Sequence, residues 1–347
     1  MMPPQQSASI NPGRLVALVD AFSGVRTLVF GDLIVDEFIY GEIARVSREA
    51  PVLILNYDST EVVPGGAGNA AGNVASLGGA ARLVGVAGRD ETGRRLLDTL
   101  KSRRIDVGGV LGPAGYRTPT KTRILAGGIH SAKQQVVRID RAASAAIDEK
   151  TRASFEARVL RAVRSADALL VSDYGSGLIR PQLVTEARRI LKGPILVDSR
   201  YNLLKFRGMT ACTPNESEVE QALEMTIGDN ARALERAGRA LLDQTKAAAV
   251  LITRGSRGMA LFEGGRPTVH IPIVGSDQIA DVTGAGDTVI ATMTLALSAG
   301  ASFEDAARLA NHAGGLVVMK RGTATVSASE LRYAISGGAI GRAAGPD

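Results

Sequence analysis

Short apolar runs, each closed by a polar tip and followed by a helical stretch, constrain this chain more than any other feature. Thr27-Leu28-Val29-Phe30 ends in Gly31-Asp32, and Ala168-Leu169-Leu170-Val171 ends in Ser172-Asp173-Tyr174-Gly175. Ile195-Leu196-Val197 ends in Asp198, and Ala249-Val250-Leu251-Ile252 ends in Thr253. Residues 82–88 read as a further strand. Helical patterns fall at 14–24, 91–103, 150–165, 181–191, about 216–225 and 230–243. Near-continuous apolar strands are buried on both faces. In alternation with helices they predict an α/β fold, a mostly parallel central sheet flanked by helices. Ligands gather at the polar ends of such strands.

Two stretches break the alternation. Residues 37–63 and 110–140 carry short β-like runs, such as Val52-Leu53-Ile54-Leu55 and Val136-Val137-Arg138-Ile139. They predict a small β-sheet lid over the main body. We therefore expect a single domain over 14–336, with a disordered lead-in at 1–13 and a disordered tail at 337–347. The lead-in has neither a basic start nor an apolar core, so it does not read as a secretory signal. No apolar run approaches the roughly 20 residues that span a bilayer, so no membrane partner is expected. Cys212 is the lone cysteine, which suits a reducing cytoplasm. The net charge of +6 is spread along the chain, aromatics are 4% and Trp is absent. Nucleic-acid binding uses clustered charge and aromatic platforms, so none is expected. A mild positive balance suits small anionic ligands, and it also simply aids solubility.

The densest chemistry lies in Asp281-Val282-Thr283-Gly284-Ala285-Gly286-Asp287, which runs into an apolar helix. Free N–H groups at such a turn bind anions, and the helix dipole adds to that. Asp287 in the first turn fits a base that takes a proton from a hydroxyl while the turn holds a phosphoryl group. It equally fits a residue that satisfies the helix N-terminus.

Other motifs are weaker alone. Gly65 and Gly66 precede Ala67-Gly68-Asn69, where the backbone can approach a ligand closely and Asn69 can bond a sugar hydroxyl or the local backbone. Gly66, Gly68 and Gly72 only imitate a dinucleotide fingerprint, with the spacing one residue too long. Asn215 and Glu218 share a helix face, which suits Mg²⁺ held through water or an ordinary helix start. Thr253, Gly255 and Gly258 make a glycine-rich turn that fits a nucleotide wall or a plain hairpin. Neither a Walker phosphate loop nor a C-x-x-C pattern is present, and His130, His270 and His312 are isolated.

Taken in order, GD…D, GGxxN, NxxE, TxGxxG and DxTGAGD resemble the ribokinase-like (PfkB-type) sugar kinases from about Thr27 to Leu331. GDLIVDEFIYGEIARVSREAPV, VPGGAGNAAGNVASLGG, FRGMTACTPNESE and KRGTATVSASEL look like the kinases of heptose 7-phosphate in ADP-heptose synthesis. The sequence departs from that group at Arg48, where proline is usual, and at residues 197–200, where VDSR replaces a VDPK-like segment.

The resemblance implies an ATP- and Mg²⁺-dependent kinase with Asp287 as base and Gly284, Ala285 and Gly286 as the anion hole. Asp36, Gly65, Gly66 and Asn69 would bind the sugar. Asn215 and Glu218 would organise Mg²⁺ and phosphates, while Thr253, Gly255 and Gly258 would line the nucleotide, with Asn311 and His312 near adenine. Asp281 and Thr283 match positions near a K⁺ site. The resemblance also implies a homodimer through the lid and a nucleotidyltransferase partner. The partner's HxGH motif is absent here, so this chain would carry the kinase alone. A sugar phosphate further needs cations away from Asp287; Lys121, Arg123, Lys133 and Arg138 offer them, with Arg138 favoured because it stands in an apolar run, although each of these residues equally suits a solvated lid edge.

Overall fold

The computed structural model describes residues 11–127, 133–143, 146–274, 281–320 and 322–338. His130 and nearly all of the expected lead-in and tail lie outside them. The lead-in ends earlier than residue 13. Asn11 accepts a hydrogen bond from the Arg14 N–H at 3.2 Å and Pro12 occupies the first turn, so helix α1 (Pro12–Asp20) starts there.

Strand β1 (Arg26–Val46) belongs to two sheets. Its outer half, from Leu33, pairs antiparallel with β2 (Leu53–Gly66), which runs directly into α2 (Ala67–Ser76). Its inner half pairs in parallel with β3 (Ala80–Val86). After α3 (Glu91–Ser102) the chain returns to the outer sheet. There β4 (Thr120–Gly127) pairs with β1 over Val35–Glu42 and β5 (Gln134–Arg141) adds an antiparallel edge. The lid is thus ordered β2-β1-β4-β5. Its second segment starts at Thr120 and not at residue 110, because Leu111 instead bonds beside β3, to Gly85 and Ala87.

The central sheet continues through α4 (Glu149–Val163), β6 (Ala168–Asp173), α5 (Pro181–Ile190), β7 (Ile195–Ser199) and the two-residue β8 (Ala211–Cys212). Then follow α6 (Glu216–Leu223), α7 (Ala231–Thr245), β9 (Ala249–Thr253), β10 (Met259–Glu263) and β11 (Val269–Ile271). Strands β3, β1, β6, β7, β8 and β9 are parallel neighbours, and β10 and β11 turn antiparallel at the edge. The last helices are α8 (Ala285–Ser298), α9 (Phe303–Val317) and α10 (Ala328–Ile335).

Period-two alternation assigns each strand residue to one of two cores. On β1, Val29 and Leu33 face the layer of α1, α2, α8, α9 and α10, whereas Leu28 and Phe30 face the layer of α4, α5 and α7. Phe30 meets Phe155 of α4 edge-on at 5.9 Å. Among the described residues no helix is long and apolar enough to cross a membrane.

Candidate active site

Gly284 starts the site. It is the N-cap of α8 with φ 79°, in the left-handed region, and provides no capping side chain. A Cβ on Gly284 would also lie 2.6 Å from Asn69 Nδ2. The Ala285 N–H reaches Val282 O at 3.3 Å, so the first-turn donors left to a ligand are those of Gly286 and Asp287.

Asp287 does not cap its helix. Its side chain is buried and turned toward α2, where Asn69 Nδ2 donates to Oδ2 at 2.7 Å. The other oxygen, Oδ1, is buried without a partner. Burial pushes the Asp287 carboxyl up to about 7, with the nearby Asp36 charge adding to the shift. The Asn69 bond, the Lys121 ammonium and the Tyr174 hydroxyl pull the other way. A base poised near neutral pH with one free oxygen is suited to accept a proton from a hydroxyl.

Around it lies a cavity of about 550 Å³, a size typical of small-molecule sites. It brings together Gly284, Ala285, Gly286 and Asp287 with Asn215, Glu218, Thr253, Gly255, Gly258 and Asn311. Asn215 and Glu218 form a full capping box: Asn215 accepts from the Glu218 N–H at 2.9 Å, and Glu218 accepts from the Asn215 N–H at 3.0 Å. Thr253 ends β9 beside Asn215, and Gly255 and Gly258 turn the chain back into β10 at φ 55° and 74°.

The same region matches known proteins. The sequence pattern of the pfkB family carbohydrate kinases fits residues 28–330. The chain belongs to this family. It is a carbohydrate kinase, a phosphotransferase. It is 41% identical to the bifunctional protein HldE of Geobacter metallireducens, over 88% of this chain and 62% of that protein. With HldE of Desulfatibacillum aliphaticivorans the identity is 39%, over 90% and 64%. The chain therefore spans somewhat under two thirds of the length of these relatives. Arabidopsis thaliana ribokinase, complexed with ribose and ATP, superposes with a TM-score of 0.70 at 20% identity, covering 90% of this chain and 99% of that one. Escherichia coli phosphofructokinase-2 in complex with potassium gives 0.70 at 19%, covering 90% and 98%. At that identity the likeness is one of fold: a large mixed sheet flanked by helices.

The residues expected to bind the sugar sit where the lid meets α2. Asn69 is fully buried and spends a donor on Asp287. Asp36 is also buried, and Arg123 Nη1 bonds its Oδ1 at 2.5 Å. Gly65 is fixed by this pair, since a Cβ there would sit 2.5 Å from Asp36 Oδ2. Gly66 caps α2 at φ 54°, against the Asp32 carbonyl and the Tyr174 ring.

Arg138 does not sit in an apolar wall. Every residue of β5 is exposed, because the strand is the lid's edge, and Asp140 holds the Arg138 guanidinium at 2.8 and 2.6 Å. His312 does not line the cavity; its neighbour Asn311 does, with Nδ2 bonded to Pro272 O at 2.7 Å. Asp281 accepts from the N–H groups of Thr283 and Gly322, tying the loop before α8 to that after α9.

Two cavity residues, Asp198 and Tyr174, escaped the sequence reading, and Lys121 was named there only as one of four lid cations. Asp198, at the end of β7, lines the cavity; burial and the Glu218, Asp287 and Asp173 charges hold its carboxyl well above the usual range. Tyr174 follows β6, and its hydroxyl is pushed up by Asp287 and by burial. Lys121 lies over the Tyr174 ring at 5.4 Å and pairs with no carboxylate at hydrogen-bond distance among the described residues. Burial lowers its pKa, and Arg200, Arg123 and Arg138 add repulsion against the Asp36 attraction. The polar tips of β6 and β7 were the available signal for Asp198 and Tyr174.

Proposed function

We propose that this kinase transfers a phosphoryl group from ATP to the anomeric hydroxyl of a heptose 7-phosphate, with Asp287 as the base. The observation that carries the chemistry is the buried Asp287 carboxylate, with one oxygen held by Asn69 and the other free. In this reading Oδ1 takes the hydroxyl proton while the Gly286 and Asp287 N–H groups hold the oxygens of the transferring phosphoryl group. Asp36, Gly65 and Gly66 form the sugar wall. Thr253, Gly255 and Gly258 line the nucleotide, with Asn311 beside them. The lid excludes water, which limits wasteful hydrolysis of ATP.

Mg²⁺ fits the donors present. Asp198 and Glu218 are oxygen ligands, both raised by burial, and Asp198 is raised further by the neighbouring carboxylates. Among the described residues no cluster of three acidic, His or Cys side chains forms a ready-made cage. Mg²⁺ commonly uses one or two carboxylates, waters and substrate phosphates instead. When bound, the ion would neutralise nucleotide phosphate charge. Glu218, with Asn215, would hold its waters. K⁺ would sit by Asp281 and Thr283, where Asp281 already organises the loop.

The sugar-phosphate reading rests on the relatives at about 40% identity and on the half-buried Lys121, which bonds no carboxylate among the described residues and feels the Arg200, Arg123 and Arg138 charges. It makes the natural next step a nucleotidyl transfer, supplied by a partner. Exposed Ile43, Val46, Leu53, Tyr57, Val137 and Ile139 on the lid favour a homodimer there. The test is ATP turnover with heptose 7-phosphate, unphosphorylated heptose and a panel of other sugars. Strong preference for the phosphorylated heptose is expected. Equal use of both heptoses overturns the substrate assignment and leaves a kinase of neutral sugars.

A further inference from the structure

Asn69 can present either end of its amide to Asp287, and only the nitrogen end stabilises a carboxylate. What selects that end is buried beneath it. Asn73, one helical turn along α2, is fully buried and does not line the cavity. Its Nδ2 donates to Asn69 O at 3.1 Å and lies 3.3 Å from Asn69 Oδ1. Its Oδ1 accepts from Thr288 Oγ1 at 2.8 Å. Thr288 follows the base on α8, and its alternative acceptor, Gly284 O, is farther at 3.4 Å. The donors therefore run one way, from Thr288 to Asn73, from Asn73 to Asn69, and from Asn69 to Asp287.

We propose that Asn73, itself held by Thr288, is a positioning residue that fixes the Asn69 nitrogen on Asp287 Oδ2 and leaves Oδ1 as the proton-accepting oxygen. Reversal of the Asn69 amide would place a carbonyl oxygen against the carboxylate, which disfavours its ionisation. The charged and titratable groups that face Asp287 are Asp36 from β1, Lys121 from β4, Tyr174 after β6 and Asp198 at the end of β7. Neither Asn73 nor Thr288 touches these groups through a hydrogen bond among the described residues. The inference rests on Asp287 being the base.

The experiment is the pH profile of kcat. Asn73→Asp keeps the shape but replaces the donor with an acceptor, which draws the Asn69 nitrogen away from Asp287. The acid limb should move to higher pH, with roughly tenfold lower kcat at pH 6 and a smaller loss at pH 9. The KM values for sugar and ATP should stay within about twofold. Thr288→Val should shift the limb in the same direction by less, and Thr288→Ser should bring it back. This pair carries the test if Asn73→Asp does not fold. A loss equal at every pH, or an unmoved limb in folded variants, overturns the positioning role. Asp287→Asn separates the two ideas. An active Asp287→Asn variant defeats the base assignment itself, whereas an inactive one beside an unmoved limb defeats only the role of Asn73 and Thr288.

Discussion

Helices α6 and α8 both open on the same cavity with an acidic residue in the first turn, yet the two carboxylates are used differently. Glu218 folds back onto the Asn215 N–H, and α6 is capped from both sides. Helix α8 has only Gly284 at its N-cap, and Asp287 turns away from its own helix toward Asn69. The capped carboxylate is part-exposed and shared between backbone and cavity. The uncapped one is buried, half-satisfied and pushed up to about 7. A first-turn acid that does not cap is therefore free for chemistry, and the burial that frees it also tunes it.

The largest effect should come from removing that freedom. Asp287→Asn keeps the size and the contact to Asn69 but cannot take a proton, and kcat should fall roughly 10²–10⁴-fold. Stability should move the other way. A carboxyl raised in the folded state loses stability as pH rises from its unfolded value through about 7. The variant should therefore gain a few degrees in Tm at pH 8 and little near pH 4. Turnover near the parent's would mean that α8's acid is as structural as α6's.

Gly284→Ala attacks the α8 cap instead. It puts a Cβ in the left-handed region and onto the Asn69 amide, so about 1–3 kcal/mol of stability and roughly tenfold or more in kcat should go. Unchanged kinetics would show that the Asn69 contact is dispensable.

Glu218→Gln sharpens the contrast from the α6 side. A glutamine still completes the capping box, so Tm should hold. Removing the charge should raise the Mg²⁺ requirement and lower kcat about tenfold. Superimposable Mg²⁺ titrations would reduce Glu218 to a cap.

The smallest effect belongs to the lid, away from both helix heads. Lys121→Ala should raise the KM for the sugar phosphate roughly tenfold, since among the described residues the ammonium has no carboxylate bonded to it. Arg138→Ala should cost about threefold or less, because Asp140 already holds that guanidinium at an exposed edge. The reverse order would restore Arg138 as the principal phosphate contact.

Much of this was legible in the chain alone. Apolar runs of four or five residues closed by polar tips define the parallel strands, since only strands buried on both faces read so uniformly apolar. The turn 281–287 marks the head of α8, because its glycines break the chain just before an apolar helical period begins. The lid's two segments were visible from their change of period. Arg138 misled because an alternating strand looks alike at a sheet's centre and at its edge. His312 misled because adjacent helical residues point in different directions, and only packing chooses between them.

The sequence by itself determined the alternation of parallel strands and helices as far as β9, the sheet covered on both faces, the glycine turn and the identity of the acid at its end. Local propensity and hydrophobic period act over a few residues, and these features need no more. Tertiary structure alone decided that Asn69, 218 residues away, meets Asp287, that Arg123 takes Asp36, and that Asp198 and Tyr174 close the same cavity. Burial does the tuning, and burial depends on which distant segments cover a side chain, which no local pattern carries.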